Sequence, residues 1–183
     1  YKHQLPSIAI SNFNSFDQHV ISGKSAELKI FTEFLNQKNI KNIKLNVSGA
    51  FHSKYMNAIK DDFSKFLNQF EFSHPKVSVI SNVNCTQYTK DNIAELLTKQ
   101  LYYPVKWYQQ ICSLTDNGID QFIEINKKKV LTNLVKKIQR KKLSNITPHI
   151  MNNKNKLGSF SFQERYNTKS SYVAGAMYHG VSS

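Results

Sequence analysis

The sequence predicts an α/β protein. Two observations carry that assignment: a β-β-α-β run near the start and strands alternating with helices after it. Ser7 to Phe13 and Gln18 to Ile21 read as two strands flanking the turn Asn14-Ser15-Phe16-Asp17. Gly23 ends the second strand, and Ser25 is placed to cap a helix from about Ala26 to Lys38. Leu28, Phe31, Phe34 and Leu35 recur at helical spacing and form its core face. Ile43, Leu45 and Val47 alternate with polar residues, which predicts a strand ending at Val47. The run suggests a small split sheet covered by one helix.

The turn that follows, Ser48-Gly49-Ala50-Phe51-His52-Ser53, is the most informative segment. Gly49 and Ala50 leave room for a ligand near the backbone, and His52 stands at the mouth of the turn. A neutral imidazole can take a proton near pH 7, so His52 is a candidate base. Taken alone, the segment equally fits a histidine that caps the next helix or bonds a loop carbonyl. That helix is expected from about Lys54 to Phe70, with Tyr55, Ile59, Phe63, Phe66 and Phe70 on one face. Val77 to Ile80 reads as a short buried strand. Asp91 is placed to cap a helix ending near Gln100, and Tyr103-Pro104 breaks the chain before another from Val105 to Thr115. Phe122 to Ile125 reads as a strand and Val130 to Ile138 as the last helix.

Residues 141–156 are polar, carry Pro148 and show no period, so they read as a linker. Beyond them, Tyr172-Val173-Ala174-Gly175-Ala176-Met177 looks like a strand entering a glycine-bearing loop. The stretch from Leu157 to Ser183 is too short to fold alone, which suggests a truncated second domain.

Composition narrows the classes. The chain has 183 residues, enough for one substantial core, and no apolar run approaches the ~20 residues of a membrane helix. No membrane partner is expected. Tyr1 to Pro6 lacks the apolar core of a signal peptide. Cys85 and Cys112 have no metal-ligand spacing and read as free thiols in a reducing compartment, which places the protein in the cytoplasm. The formal charge of +13 asks for an anionic partner or a compositional cause. No helix-turn-helix, zinc-finger or aromatic-glycine RNA motif accompanies it, so nucleic acid is not the expected partner.

Six segments then fall into one order: Asn12-Phe13-Asn14-Ser15; Gln18 with Val20-Ile21-Ser22-Gly23; Gly49-Ala50-Phe51-His52-Ser53; Ser81-Asn82-Val83; Gln100-Leu101-Tyr102-Tyr103-Pro104-Val105-Lys106-Trp107; and Glu124-Ile125 with Lys129-Val130-Leu131. Together, over about residues 5 to 140, they resemble the C-terminal half of malonyl-CoA:acyl-carrier-protein transacylases. The resemblance implies a large α/β-hydrolase-like subdomain and a small ferredoxin-like one at about residues 7–50, within an acyltransferase portion of residues 1–140. It implies a ping-pong reaction in which a serine accepts malonyl from malonyl-CoA and passes it to the phosphopantetheine thiol of an acyl carrier protein. That step needs no cofactor. His52 is implied as the base, and the backbone carbonyl of Gln100 as the group that holds its other ring nitrogen. Phe51 and Asn14 are implied at the substrate. In related polyketide enzymes a Phe before the histidine accompanies malonyl, because its ring leaves no volume for an α-methyl group.

Two departures stand out. The family's serine lies on a Gly-His-Ser-Leu-Gly elbow, and no G-x-S-x-G occurs in this sequence, so the nucleophile is expected upstream of Tyr1 and this chain alone is expected to be inactive. The family's Gly-Pro-Gly-Lys appears as Asn126-Lys127-Lys128-Lys129. Lys127 to Lys142 holds eight basic residues, a candidate surface for the acidic carrier protein or simply a solvated face.

The tail, Leu157-Gly158-Ser159 with Tyr172 to Met177 and Gly180 to Ser183, resembles the start of flavin-dependent TIM-barrel enoyl reductases that accompany trans-acyltransferase polyketide synthases. That resemblance implies a first barrel strand and an FMN-facing loop at Gly175 and Met177, with FMN bound only by a complete reductase domain. Two other readings stay open: an acylhydrolase using the same Ser-His machinery to clear stalled carrier proteins, and a non-catalytic basic binding module.

Overall fold

The structure, a computed structural model, describes the backbone of residues 5–151 and 172–174, with side chains described through residue 143. Strands β1 (Ala9–Phe13) and β2 (His19–Ser22) form an antiparallel hairpin with an irregular register between Ile10 and Asn12. Its turn closes as Asn14 and Ser15 donate their N–H groups to the Gln18 carbonyl at 3.0 and 3.1 Å. Helix α1 (Ser25–Gln37) follows. Its N-cap is Lys24, not Ser25, and no side chain caps it directly. The entry is held instead by Ser7: its hydroxyl accepts from Lys24 N–H at 3.0 Å, and its N–H donates to Glu27 Oε2 at 2.9 Å. Gly23 makes this approach possible, since a Cβ there would lie 2.8 Å from Ile8 Cδ1 and 3.3 Å from Ile8 Cα.

Two expected strands do not form. Residues 44–47 and 122–125 carry no ladder bonds, and Ile43, Ile123 and Ile125 are 74%, 92% and 99% exposed. A strand needs a neighbour for its backbone groups as well as an alternating pattern. Among the described residues no strand pairs with either segment. The same lack of cover leaves α1 without a fully buried residue, so Leu28, Phe31, Phe34 and Leu35 are only half-buried. The observed small unit is thus a hairpin and a helix, without the last strand of the β-β-α-β run.

The helix expected after His52 is split. Lys54–Ile59 winds as a 3₁₀ turn, capped when Ser53 Oγ accepts from Tyr55 N–H at 3.4 Å, and α2 (Lys60–Leu67) continues from it. Its aromatic face is largely exposed; Phe63, Phe66 and Phe70 pack on one another, and Leu67 is the buried residue.

Strand β3 (Ser78–Ile80) and helices α3 (Ile93–Gln100), α4 (Trp107–Asp116) and α5 (Val130–Met151) complete the larger unit. Asn92, not Asp91, stands at the N-cap of α3. The core gathers residues of β3, α4 and α5 with Val105: Ile80, Val105, Trp107, Ile111, Leu114, Leu134, Val135 and Ile138 are buried together. The spacing of Trp107, Ile111 and Leu114 puts them on one helical face. Gly118, at φ +83°, ends α4 in the left-handed conformation a C′ glycine adopts without strain.

Helix α5 runs to Met151, well into the segment read as a linker. Gln139, Arg140, Lys141, Lys142 and Leu143 are good helix formers, so an established helix propagates through them at little cost. Lys142 anchors this stretch, donating to the Cys112 carbonyl at 2.9 Å and pairing with Asp116. Strand β4 (Tyr172–Ala174) pairs parallel with β3, Val79 opposite Val173. The remainder of residues 157–183, with Gly175 and Met177, lies outside the described residues.

Glu124 takes a structural part that the missing strand frees it to play. Its carboxylate accepts from the N–H of Leu131 at 3.2 Å, the N–H of Thr132 at 2.8 Å and the Thr132 hydroxyl at 2.7 Å. These bonds, chiefly the one from Thr132 N–H, hold the Glu124 carboxyl below its ordinary value. A depressed folded-state value stabilises above the unfolded carboxylate range and is lost as pH falls through the folded value. Glu124→Gln should therefore lower stability at neutral pH. The gap from the parent chain should close in acid, as read by urea unfolding at the two pH values.

Candidate active site

His52 is held in an unusual backbone conformation, φ 60°, which a non-glycine residue adopts rarely. Its surroundings over-determine that conformation. The His52 N–H donates to the Leu101 carbonyl at 2.9 Å, and Ser53 Oγ donates to the Ala50 carbonyl at 2.5 Å. One turn on, Tyr55 Oη donates to the Ser7 carbonyl at 3.1 Å and Lys54 Nζ to the Pro6 carbonyl at 2.7 Å. The turn is pinned to the end of α3 on one side and to the segment before β1 on the other.

The imidazole Nδ1 lies 2.8 Å from the Gln100 backbone carbonyl. A carbonyl oxygen only accepts, so this network assigns the proton to Nδ1 and leaves the lone pair on Nε2. That is the tautomer a base acting through Nε2 needs. The carbonyl is available because Gln100 sits in the last turn of α3, where the helix leaves carbonyls without partners inside it. The Gln100 side-chain nitrogen is 3.2 Å from the same Nδ1.

The other expected residues take separate places. Asn14 is buried in the hairpin turn, next to Ser15, which is fully buried. The hairpin is tied to the chain after α3, with Val105 N–H donating to Ser11 at 2.8 Å and Phe13 N–H to Val105 at 2.9 Å. Phe51 is half-buried, and a methyl group built on Gly49 would meet only its ring edge, at 3.7 Å. Gly49 is therefore not required by packing; its lack of a side chain leaves that face of the turn open. The structure brings His52 and Gln100 into direct contact and seats Asn14 in the turn just after β1, the strand bonded to the segment that follows Gln100.

Sequence reasoning gave no role to Leu101, Ser81, Asn82 or Gln110. Ser81 is fully buried, and its hydroxyl accepts from Val83 N–H at 3.1 Å; the Asn82 carbonyl accepts from Lys106 N–H at 3.1 Å. Gln110 is fully buried in α4 and donates to the Ile80 carbonyl at 3.1 Å. The available signal was a glutamine on the helical face shared by Trp107, Ile111 and Leu114. Among the described residues no cluster of His, Cys, Asp and Glu could hold a metal, and no helix is long and apolar enough to cross a membrane. Cys85 and Cys112 are free, and burial raises the Cys85 thiol above its ordinary value.

Residues 2–177 match the family model described as acyl transferase domain. The chain belongs to that acyl transferase family. It is similar to the polyketide biosynthesis protein PksE of Bacillus subtilis, 36% identical over 201 aligned positions that take in all of this chain and 26% of that protein. It is 40% identical to the polyketide biosynthesis malonyl CoA-acyl carrier protein transacylase BaeC of Bacillus velezensis, over 75% of this chain and 48% of BaeC. Among solved structures, the transacylase of Streptococcus pneumoniae matches with 34% identity and a TM-score of 0.66, over 73% of this chain and 44% of that one. A complex of a malonyl transacylase with a type II polyketide acyl carrier protein matches with 29% identity and a TM-score of 0.70, over 76% of this chain and 45% of that one. The fold of this acyl transferase chain is accordingly of the α/β acyltransferase type. The chain spans about half the length of the transacylases it matches and about a quarter of PksE.

Proposed function

We propose that this acyl transferase chain carries the base of a malonyl transfer from malonyl-CoA to an acyl carrier protein. The observation that carries the reading is the 2.8 Å bond from His52 Nδ1 to the Gln100 carbonyl, which puts the proton on Nδ1 and the lone pair of a base on Nε2. The serine comes from the part of the family domain that this sequence does not contain, since no G-x-S-x-G occurs in it. His52 Nε2 takes the serine proton as the oxygen attacks the malonyl carbonyl, and returns it to the departing coenzyme A sulfur. In the second half the carrier thiol gives its proton to His52 and attacks the acyl-serine, and the serine oxygen is reprotonated. Intact mass before and after malonyl-CoA tests the reading in the full-length protein. One malonyl group gained, then lost to carrier protein, is the expected result. Release of free malonate instead would make it an acylhydrolase, and no gain at all would remove the catalytic reading.

Phe51 is proposed to exclude α-branched acyl groups, and Asn14 to line the substrate site. Phe51→Ala should raise kcat/KM for methylmalonyl-CoA relative to malonyl-CoA by about tenfold, the scale of one methyl group in an apolar pocket. An unchanged ratio measured with both thioesters would make Phe51 a packing residue.

The carrier protein is proposed to dock on α5. Lys136, Lys137, Arg140 and Lys141 line an open groove of about 710 Å³ with Phe16 and Asn133. Lys137 pairs with Asp17 at 2.7 Å and, with Lys141, lies over the Phe16 ring, so part of this charge is already committed within the chain. Neutralising Lys136, Lys137 and Lys141 together should slow carrier association at low salt and leave malonyl loading unchanged. An unaltered association rate would sink the docking surface.

Residues 157–183 are proposed to open an enoyl reductase domain in a bifunctional polyketide enzyme working in the cytoplasm. The match to PksE, which takes in all of this chain where the match to BaeC takes in 75%, supports a shared tail. Gly175 and Met177 would face FMN only in a complete reductase.

A further inference from the structure

Two Gln100 atoms approach His52 Nδ1: the backbone carbonyl oxygen at 2.8 Å and the side-chain amide nitrogen at 3.2 Å. They make opposite demands. The carbonyl requires a proton on Nδ1, whereas an amide nitrogen, which only donates, requires a lone pair there. In the imidazolium both ring nitrogens carry protons, and the conflict with the amide persists. Meanwhile the side-chain Oε1 of Gln100 is buried with no hydrogen-bond partner, and the residue is only 6% exposed. Both anomalies have one origin, because amide oxygen and nitrogen are told apart only by the bonds they make.

We infer that the Gln100 amide faces His52 with its oxygen, so that one residue supplies both acceptors of a three-centre bond from Nδ1–H. Turning the amide over replaces a donor facing a donor by an acceptor facing a donor, and gives Oε1 its missing partner. The amide nitrogen then takes the place the oxygen leaves. This deepens the proposed role of His52 and rests on it for its catalytic meaning. The Gln100 side chain becomes a positioning residue: it holds the ring in the tautomer that places the lone pair on Nε2, and its dipole stabilises the imidazolium formed when Nε2 takes a proton. Where a serine hydrolase sets an aspartate behind its histidine, this site sets two uncharged oxygens from a single glutamine.

The test is the 15N spectrum of His52 in full-length protein labelled at histidine and glutamine, with the signal assigned by its loss in His52→Asn. In neutral imidazole, Nδ1 should resonate as the protonated nitrogen, with no coupling through a hydrogen bond to Gln100 Nε2. Gln100→Leu keeps the backbone carbonyl and removes the second acceptor. It should lower the ratio of the Nδ1–H to the Nε2–H tautomer by about threefold to tenfold, the net worth of one hydrogen bond, and Gln100→Glu should restore it. An unprotonated Nδ1, or a coupling between it and Gln100 Nε2, would overturn the inference in the parent protein without any variant. An unchanged ratio in a folded Gln100→Leu would also overturn it. These readouts do not require turnover, so they stand apart from the His52→Ala transfer assay on which the catalytic reading depends.

Discussion

Replacing His52 by Ala in the full-length protein is expected to lower malonyl transfer to carrier protein by about 10²–10⁴-fold, the range general acid–base catalysis supplies. The loss should fall on kcat and kcat/KM together, because the imidazole acts when the proton moves rather than when the thioester binds. Both half-reactions should slow, since the same Nε2 would deprotonate the serine and later the carrier thiol. Stability should change far less, because the imidazole is only part-buried and its backbone bond to Leu101 does not depend on the side chain. Alanine also tolerates φ 60° no better than histidine, so the strain of the turn is retained. A stopped-flow or mass-based assay of both half-reactions gives the answer. An unchanged rate in a folded variant would remove His52 from the mechanism.

The largest effect on stability is expected at the crossing of α4 and α5. Ile111 and Ile138 are completely buried, one on each helix, within the cluster that includes Trp107 and Leu134. Ile138→Ala removes buried methyl and methylene groups and leaves a cavity that two packed helices cannot easily close. The expected cost is about 2–5 kcal/mol, read by urea unfolding. Ile123 provides the contrast: at 92% exposure, Ile123→Ala should change the stability of this chain by no more than about 0.5 kcal/mol. Equal losses at the two positions would mean that residues 122–125 are covered by further structure, as the strand expected there requires.

That contrast marks how far periodicity alone reaches. Helices α3 and α4 were legible from the polar start near Asp91 and the Tyr103-Pro104 break between them, and their apolar residues Leu96, Trp107, Ile111 and Leu114 are buried. The hairpin was legible from Asn14 to Asp17, a polar turn between two β-rich runs. Residues 44–47 carry a clear two-residue pattern and 122–125 a short apolar run, yet neither pairs with a strand among the described residues, because such patterns state which side chains are apolar and not which strand lies alongside. The end of α5 failed differently. Polar composition was read as a linker, whereas helix propensity and the Lys142 anchor to Cys112 and Asp116 carry the helix on.

By itself, the sequence determined the family, the ordered motifs that place His52 and Gln100, and the local elements whose signals lie within a few residues. The tertiary structure decided the chemistry available to His52. Its left-handed backbone, its bond to a carbonyl 48 positions away and the approach of the Gln100 side chain depend on α3 ending against the turn at Ser48–Ser53. The physical reason is one of range. Propensity and periodicity act along the chain, while a tautomer is set by whichever donor or acceptor another element brings within about 3 Å.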